Sequence, residues 1–395
     1  MNDTFDLQRR QVLLGSAGAV ASASLFGFSP LSLAAEMPLP DYVNWKNPAA
    51  LIVHSANTLE TRREAIGTSI VTSNEQLFVR NNLPAPDAAI VADPDAWTVA
   101  FQGVKNPRSM TLGELKNLGV ETVASVLQCS GNGRGFFAHK PSGTPWTVGA
   151  AGCVLWSGVP VSAVVDALGG IDAGLEYMTG TGGEALPDGL DPKSVMVERS
   201  VPLKALEHAL LAWELNGEPL PLAHGGPLRL VVPGYYGVNN IKYVKQVAFT
   251  AAQSDAKIQT TGYRVSPVGQ KGTMDQPSLW EMPVKSWITQ PLQQVKAGRV
   301  LIQGVAFGGA RAVQGVEVSL DAGKNWQQAR FVGPDLGPFA WRPFVLIAEL
   351  QPGRYTLASR AIDVQGAMQP EERLDNDSGY GHNGWQDHAV NLVVV

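Results

Sequence analysis

The sequence predicts an α+β domain followed by a β-sandwich, on three observations. Charged residues make up only 16% of the chain, against a usual ~25%, and 42 glycines and 27 prolines punctuate it, a balance that suits strands and turns better than a helical bundle. Residues 68–249 mix short strand-like and helix-like runs separated by long irregular stretches, which argues against a doubly wound sheet. From about residue 258 the helix pattern disappears, and apolar runs of strand length recur between Gly, Pro, Asp and Asn. At 395 residues the chain has the length of two such units, taking roughly 150 residues for each.

Residues 1–34 read as an export signal. Arg9-Arg10 precede a mildly apolar run that ends in the small-x-small stretch Ser32-Leu33-Ala34, the order of a cleaved leader. Adjacent arginines suggest the twin-arginine route, which carries folded proteins, although Gln8 and Val12 depart from its usual pattern. The run is too rich in Gly, Ser and Ala to anchor the chain, so a soluble periplasmic protein with no membrane anchor is expected.

In the first unit, residues 97–101 and 123–127 read as strands, and 161–168 and 203–213 as helices. The second helix would follow Pro202 and stop at Asn216-Gly217. Residues 228–232 form an apolar strand closed by Pro233-Gly234. In the second unit, runs at 300–305, 316–320, 326–331, 345–350, 355–362 and 389–395 are strand-like. Val316, Val318 and Leu320 alternate with Glu317 and Ser319, and a turn at 321–325 points to a hairpin. The expected division is 35–260 and 261–395.

The net charge of −5 argues against a non-specific nucleic-acid binder. No Gly-x-Gly-x-x-Gly follows a strand and no Walker sequence occurs, so nothing supports a nicotinamide, flavin or ATP site. His54, His139, His208, His382 and His388 lack the spacing of zinc ligands. Cys129, at the end of an apolar strand in Gln128-Cys129-Ser130-Gly131-Asn132-Gly133-Arg134, reads either as a metal ligand or nucleophile beside a positive charge, or as a thiol buried in a Gly-rich loop. Cys153, among Ala, Gly, Val and Leu, reads as buried and inert, though a Cys129–Cys153 disulfide in a non-catalytic binding protein is the alternative for an exported chain. Arg80, between apolar and turn residues, suits forked contact with an oxyanion, or is a surface arginine beside a proline turn. His224, Arg229 and the stretch Asn240-Ile241-Lys242 lie where they could reach a phosphate, or form a polar turn with a solvated lysine.

Together these segments resemble the sulfite oxidase family of molybdenum enzymes, in its bacterial periplasmic sulfite dehydrogenase branch. Phe78-Val79-Arg80-Asn81-Asn82 is similar to that family's Phe-x-Arg-Asn-His stretch, and Cys129 to Arg134 to its Cys-x-Gly-Asn-x-Arg loop. Residues 211–234, with Asn216-Gly217-Glu218-Pro219 and His224-Gly225-Gly226-Pro227-Leu228-Arg229, are the most specific match. The resemblance implies a sulfite-oxidase-type molybdopterin domain followed by an immunoglobulin-like β-sandwich that dimerises. It implies molybdenum-molybdopterin as cofactor, Cys129 as the metal's protein ligand, and Phe78, Val79, Arg80, Asn81, Asn82, His224, Arg229, Asn240, Ile241 and Lys242 around the cofactor. Arg80, Arg134 and Trp146 would form the catalytic anion pocket. The implied reaction is oxidation of sulfite to sulfate. No haem-attachment sequence is present, so the electrons would pass to a separate c-type cytochrome.

The chain departs from the pattern in three places: Asn82 stands for a histidine, Val197 for an active-site tyrosine, and Ser378 for a C-terminal arginine. Lys140 or His139 is the candidate replacement for the missing basic contact. These departures keep open a second reading, a sulfane dehydrogenase subunit acting on carrier-bound sulfur.

Overall fold

The computed structural model describes residues 37–84 and 86–395; the leader sequence lies outside them. Residues Pro38–Val395 form one compact unit. Its first half carries three sheets. Leu51–Ser55, Thr58–Thr61 and Val79–Arg80 make a small antiparallel one. Glu121–Gln128, Ala151–Pro160 and Leu210–Leu215 run side by side in a five-stranded sheet, with Glu218–Pro219 and Arg229–Val231 both paired to Leu210–Leu215. The other five-stranded sheet orders Arg108–Thr111, Thr98–Gln102, Val244–Thr250, Tyr177–Gly182 and Glu198–Pro202, with Val244–Thr250 parallel to Thr98–Gln102.

The helices are short, as the long irregular stretches require. Leu112–Lys116 starts at a Thr111–Glu114 capping box, each side chain bonding the other's backbone N–H. Val161–Ala167 packs Val161, Val164 and Val165 into the core. The expected helix over 203–213 is not formed. A single 3-10 turn covers Leu203–Glu207, and Leu210–Leu215 is a strand. Its apolar run is bonded on one edge to Ala151–Pro160 and on the other largely to Arg229–Val231, so sheet pairing overrides the helix propensity of Leu and Ala.

The second half consists of two four-stranded sheets. One orders Lys285–Gln290, Gly298–Phe307, Arg342–Leu350 and Arg330–Phe331; the other Gln327–Gln328, Val313–Ser319, Gly353–Asp363 and Val390–Val394. Inward residues of both, including Ile302, Phe344, Val316, Val318, Leu357 and Leu392, share one core, the outcome of period-two alternation. The hairpin expected at 316–328 is present, with Val318 opposite Gln327. Lys285–Gln290 carries no clear strand signal because both of its faces are covered.

A separate apolar cluster joins the halves. Val126 and Cys153 of the sheet beneath the cysteine loop meet Trp287, Phe307 and Trp341. This contact fixes the C-terminal half beside the residues described next.

Candidate active site

The strand Glu121–Gln128 delivers Cys129 into a loop pinned on every side. Cys129 N–H donates to the Ala150 carbonyl at 2.9 Å, and Asn132 N–H to the Cys129 carbonyl at 3.0 Å. Asn132 Oδ1 accepts from Ala150 N–H at 3.1 Å, while its Nδ2 donates to Gln128 Oε1 at 3.0 Å. Gly133 has φ +99°, and a Cβ there would lie 2.5 Å from the His382 ring, so only glycine fits. At Gly131 a Cβ would lie 2.6 Å from Arg134 Nη2, which explains the second glycine.

Two chambers meet at Cys129. The first spans about 640 Å³, its open mouth included, and is lined by Phe78, Asn82, Glu184, His224, Arg229, Asn240 and Lys242 among others. The second spans about 810 Å³, its open mouth included, and is lined by Arg134, Thr144 and Tyr380, with Ser55, Asn57, Thr58 and Ser142 contributing a polar rim. Arg80, Asn81, Cys129 and Tyr263 line both.

The first chamber concentrates positive charge. Arg229 is buried and donates to the His224 carbonyl at 2.9 Å and the Asn240 carbonyl at 3.2 Å. Lys242 Nζ donates to Asn81 Oδ1 and to the Ala223 carbonyl, each at 2.6 Å. Lys46, behind His224, donates to the carbonyls of Asn74 and Leu77 and lies 3.0 Å from His224 Nε2. Burial holds Lys242 well below its ordinary value, with Arg229 adding to the effect and Glu184 opposing it. Burial and then Lys46, Lys242 and Arg229 do the same to His224. Among the lining residues Glu184 is the one carboxylate, and burial raises it to about 7. Buried cations crowded with so little compensation mark a site built for an anion.

That arrangement has a measurable consequence for the cofactor-free protein. Burial lowers Lys46 from 10.5 to about 7, with Glu75 opposing. Between those values the unfolded chain holds a proton that the folded one has lost, so this group makes stability rise with pH across about 7 to 10.5. The stability of the parent relative to Lys46→Met should climb by about 1.4 kcal/mol per pH unit from about pH 7 to 9, read by denaturant titration. A difference independent of pH would show that Lys46 stays charged.

The second chamber is organised by Arg134. Its Nε donates to the Ser378 carbonyl at 2.9 Å and its Nη1 to the Thr144 carbonyl at 3.1 Å. At Ser378, where the family resemblance has a C-terminal arginine, the backbone carbonyl aims Arg134.

Most of the sequence-based site converges, but three members sit one layer back. Val79 and Ile241 are buried in apolar clusters and absent from both linings. Trp146, expected in the anion pocket, is fully buried against His54 and Phe78, at ring-centroid distances of 5.2 and 6.3 Å, and lines neither chamber. His139 and Lys140 do not line either chamber; His139 lies 3.3 Å from the Asp377 carbonyl. Cys129 and Cys153 are both free, which removes the disulfide alternative. Cys153 is buried, and burial pushes its thiol up to about 12. Lys46, Glu184, Tyr263 and Tyr380 escaped sequence reasoning. Only Tyr380 had a nearby signal, its place two residues after Ser378.

The residues present fit a molybdopterin. Among the described residues no cluster of three His, Cys, Asp or Glu forms a metal site, so a metal at Cys129 must bring its remaining ligands with it. The cationic chamber beside the thiol supplies the donors that a phosphate-bearing organic cofactor needs.

Comparison with known proteins agrees. A family model described as the oxidoreductase molybdopterin binding domain matches residues 84–258, and one described as the Mo-co oxidoreductase dimerisation domain matches 276–393. The chain is 32% identical over 356 residues to the mitochondrial sulfite oxidase of Rattus norvegicus, covering 84% of this chain and 63% of that protein. It therefore spans less than two thirds of that relative's length. With the sulfite oxidase of Gallus gallus it shares 32% identity over 333 residues, 79% of this chain and 71% of the other. The crystal structure of the sulfane dehydrogenase SoxCD from Paracoccus pantotrophus superposes with a TM-score of 0.73 at 24% identity, covering 94% of this chain and 97% of that one, a likeness of fold. On its cysteine loop, its cationic chamber and these matches, the chain belongs to the sulfite oxidase family of molybdopterin oxidoreductases.

Proposed function

We propose that this protein is a periplasmic molybdenum-dependent sulfite dehydrogenase that oxidises sulfite to sulfate and passes the electrons to a separate c-type cytochrome. The observation that carries the reading is the meeting of a cationic chamber and a second chamber, bearing two arginines, at one free thiol, Cys129. When bound, the molybdenum cofactor supplies a two-electron redox centre and a transferable oxygen. Cys129 is its protein ligand. Phe78, Asn81, Asn82, His224, Arg229, Asn240 and Lys242 hold the organic part, and Val79 and Ile241 support them from behind. Arg80 and Arg134 attract the sulfite dianion and orient it beside the cysteine through forked guanidinium contacts. Trp146 braces Phe78 and does not touch the anion.

Metal analysis and steady-state assay of the full chain test this together. About one molybdenum per chain is expected, with reduction of a c-type cytochrome dependent on sulfite. Absence of molybdenum, or turnover restricted to a carrier-bound persulfide, overturns it. One observation favours the second outcome, a sulfane dehydrogenase subunit: the second chamber carries a rim of hydroxyls and amides, Ser55, Asn57, Thr58 and Ser142, that could bond a carrier segment.

The export reading rests on the Arg9-Arg10 leader, and among the described residues no helix is long and apolar enough to cross a membrane. The division near residue 260 is supported by the two family matches that flank it. A homodimer through the C-terminal half is supported by the name of its family model and by an exposed cross-strand pair, Leu301 opposite Ile347, each 48% exposed. Replacing both with aspartate should weaken self-association at least tenfold in sedimentation equilibrium, because two charges would need to be desolvated at the interface. An unchanged dimer would place the interface elsewhere.

A further inference from the structure

The second chamber contains a hydrogen-bond donor to which the proposed function gives no work. Tyr380 stacks on Tyr263, with ring centroids 5.1 Å apart and planes 17° from parallel. The Arg134 guanidinium carbon lies 5.1 Å from the Tyr380 ring centre, and that of Arg199 lies 5.7 Å from the Tyr263 ring centre. Four side chains from distant segments thus form a continuous cation–ring–ring–cation series.

Both ends are anchored. Arg134 is held by the Ser378 and Thr144 carbonyls, and Arg199, fully buried, donates to the Ile258 carbonyl at 2.8 Å and to Ser278 Oγ at 2.9 Å. Asn376 clamps the backbone of Tyr380, accepting from its N–H and donating to its carbonyl, both at 2.9 Å. Gly381 N–H donates to the Ser130 carbonyl at 2.9 Å, which ties this segment to the cysteine loop. Tyr263 keeps a φ of +52°, a strained setting for a tyrosine that the surrounding contacts maintain.

The two hydroxyls differ. Tyr263 donates to Asn82 Oδ1 at 3.3 Å. The Tyr380 hydroxyl has no protein partner among the described residues, although the half-buried side chain shares its chamber with Arg80, Cys129 and Arg134. A phenol carries an O–H that can donate to an oxyanion. A rigidly held donor with no protein acceptor, flanked by two arginines, awaits a ligand oxygen.

We propose that Tyr380 contacts substrate directly, its hydroxyl donating to an oxygen of the sulfur oxyanion that Arg80 and Arg134 attract. The identity of the anion rests on the proposed function. In this chain Val197 has no donor and Ser378 does not line the second chamber, the two positions where the family resemblance leads one to look, and Tyr380 supplies a neutral donor from the C-terminal half instead. Arg199 and Tyr263 are positioning residues that hold the ring.

Equilibrium binding of sulfate to the molybdenum-loaded full chain, by titration calorimetry, tests this without turnover. Tyr380→Phe keeps the ring and the stack but removes the hydroxyl. It should retain the parent's molybdenum content and thermal midpoint, weaken sulfate binding by about tenfold or more, and raise the KM for sulfite in step. Tyr263→Phe should change sulfate binding less than about threefold, since its hydroxyl is spent on Asn82. Sulfate should also perturb the tyrosine near-ultraviolet absorption of the parent and not that of Tyr380→Phe, a readout that survives partial cofactor loss. The proposal is overturned if the parent binds no sulfate, if Tyr380→Phe binds it as the parent does, or if Tyr263→Phe loses as much. Sulfate binding through Tyr380 in a protein that holds molybdenum but oxidises no sulfite would instead sink the catalytic reading and leave this contact standing.

Discussion

Cys129→Ala should abolish sulfite-dependent cytochrome reduction, by on the order of a thousandfold or more. Loss of a partner that merely orients a metal ligand already costs ~10–100-fold, and Cys129 is the proposed ligand itself. No neighbouring side chain can replace it. Cys153, on the adjacent strand, is fully buried in the apolar cluster between the halves, and burial keeps its thiol protonated. Among the described residues no cluster of His, Cys, Asp or Glu offers a substitute. The loop itself should survive, because its hydrogen bonds run through backbone groups and Asn132 and do not involve the Cys129 side chain. Cys153→Ala is the control and should retain molybdenum and turnover, at a stability cost of roughly 1 kcal/mol for the small cavity left behind. Equal activity in both variants would assign the metal elsewhere.

Arg229→Met should strip the cofactor while leaving the cofactor-free fold nearly as stable as the parent. Two opposing effects decide this. The substitution leaves the His224 and Asn240 carbonyls without their guanidinium donor, at about 1–3 kcal/mol for each unsatisfied group. It also removes a buried cation from beside Lys242, whose own charge Arg229 disfavours, and a methionine fills similar volume against Trp156. These effects are similar in size, so the cofactor-free thermal midpoint should move little. Cofactor retention has no such offset. A charge-assisted bond to a phosphate contributes about 1.5–3 kcal/mol, so molybdenum affinity should fall roughly 10- to 150-fold, seen as loss of metal on gel filtration. A stable Arg229→Met protein with full molybdenum content would remove Arg229 from the cradle.

The parts of the site legible in the sequence are those carried by short continuous runs. Cys129 and Arg134 share one six-residue loop whose glycines have a visible purpose, since Gly131 and Gly133 abut Arg134 and His382. Arg80 and Asn82 flank one strand end, and His224, Arg229, Asn240 and Lys242 lie within twenty residues of each other. Local pattern misjudged residues 203–213, where a helix-favouring composition became a 3-10 turn and a strand because neighbouring strands were available on both edges. It also misjudged Val79 and Ile241, whose neighbours in the chain line the chambers while they face the core, and Trp146, which is buried against His54 and Phe78.

What the sequence by itself determined is the class of chemistry: a thiol in a Gly-rich loop, cations placed for an anion, and strands in place of long helices. What only the tertiary structure decided is how the two chambers are finished. Lys46 reaches His224 across 178 residues, Arg134 is aimed by a carbonyl 244 residues away, and Tyr263 and Tyr380 stack from segments that sequence position does not connect. The contacts of Arg134, Tyr263 and Tyr380 join elements brought together by the apolar cluster of Val126, Cys153, Trp287 and Trp341, against which both tyrosines pack. Their spacing along the chain has no period and no motif, because packing between sheets sets it, and local backbone preference does not.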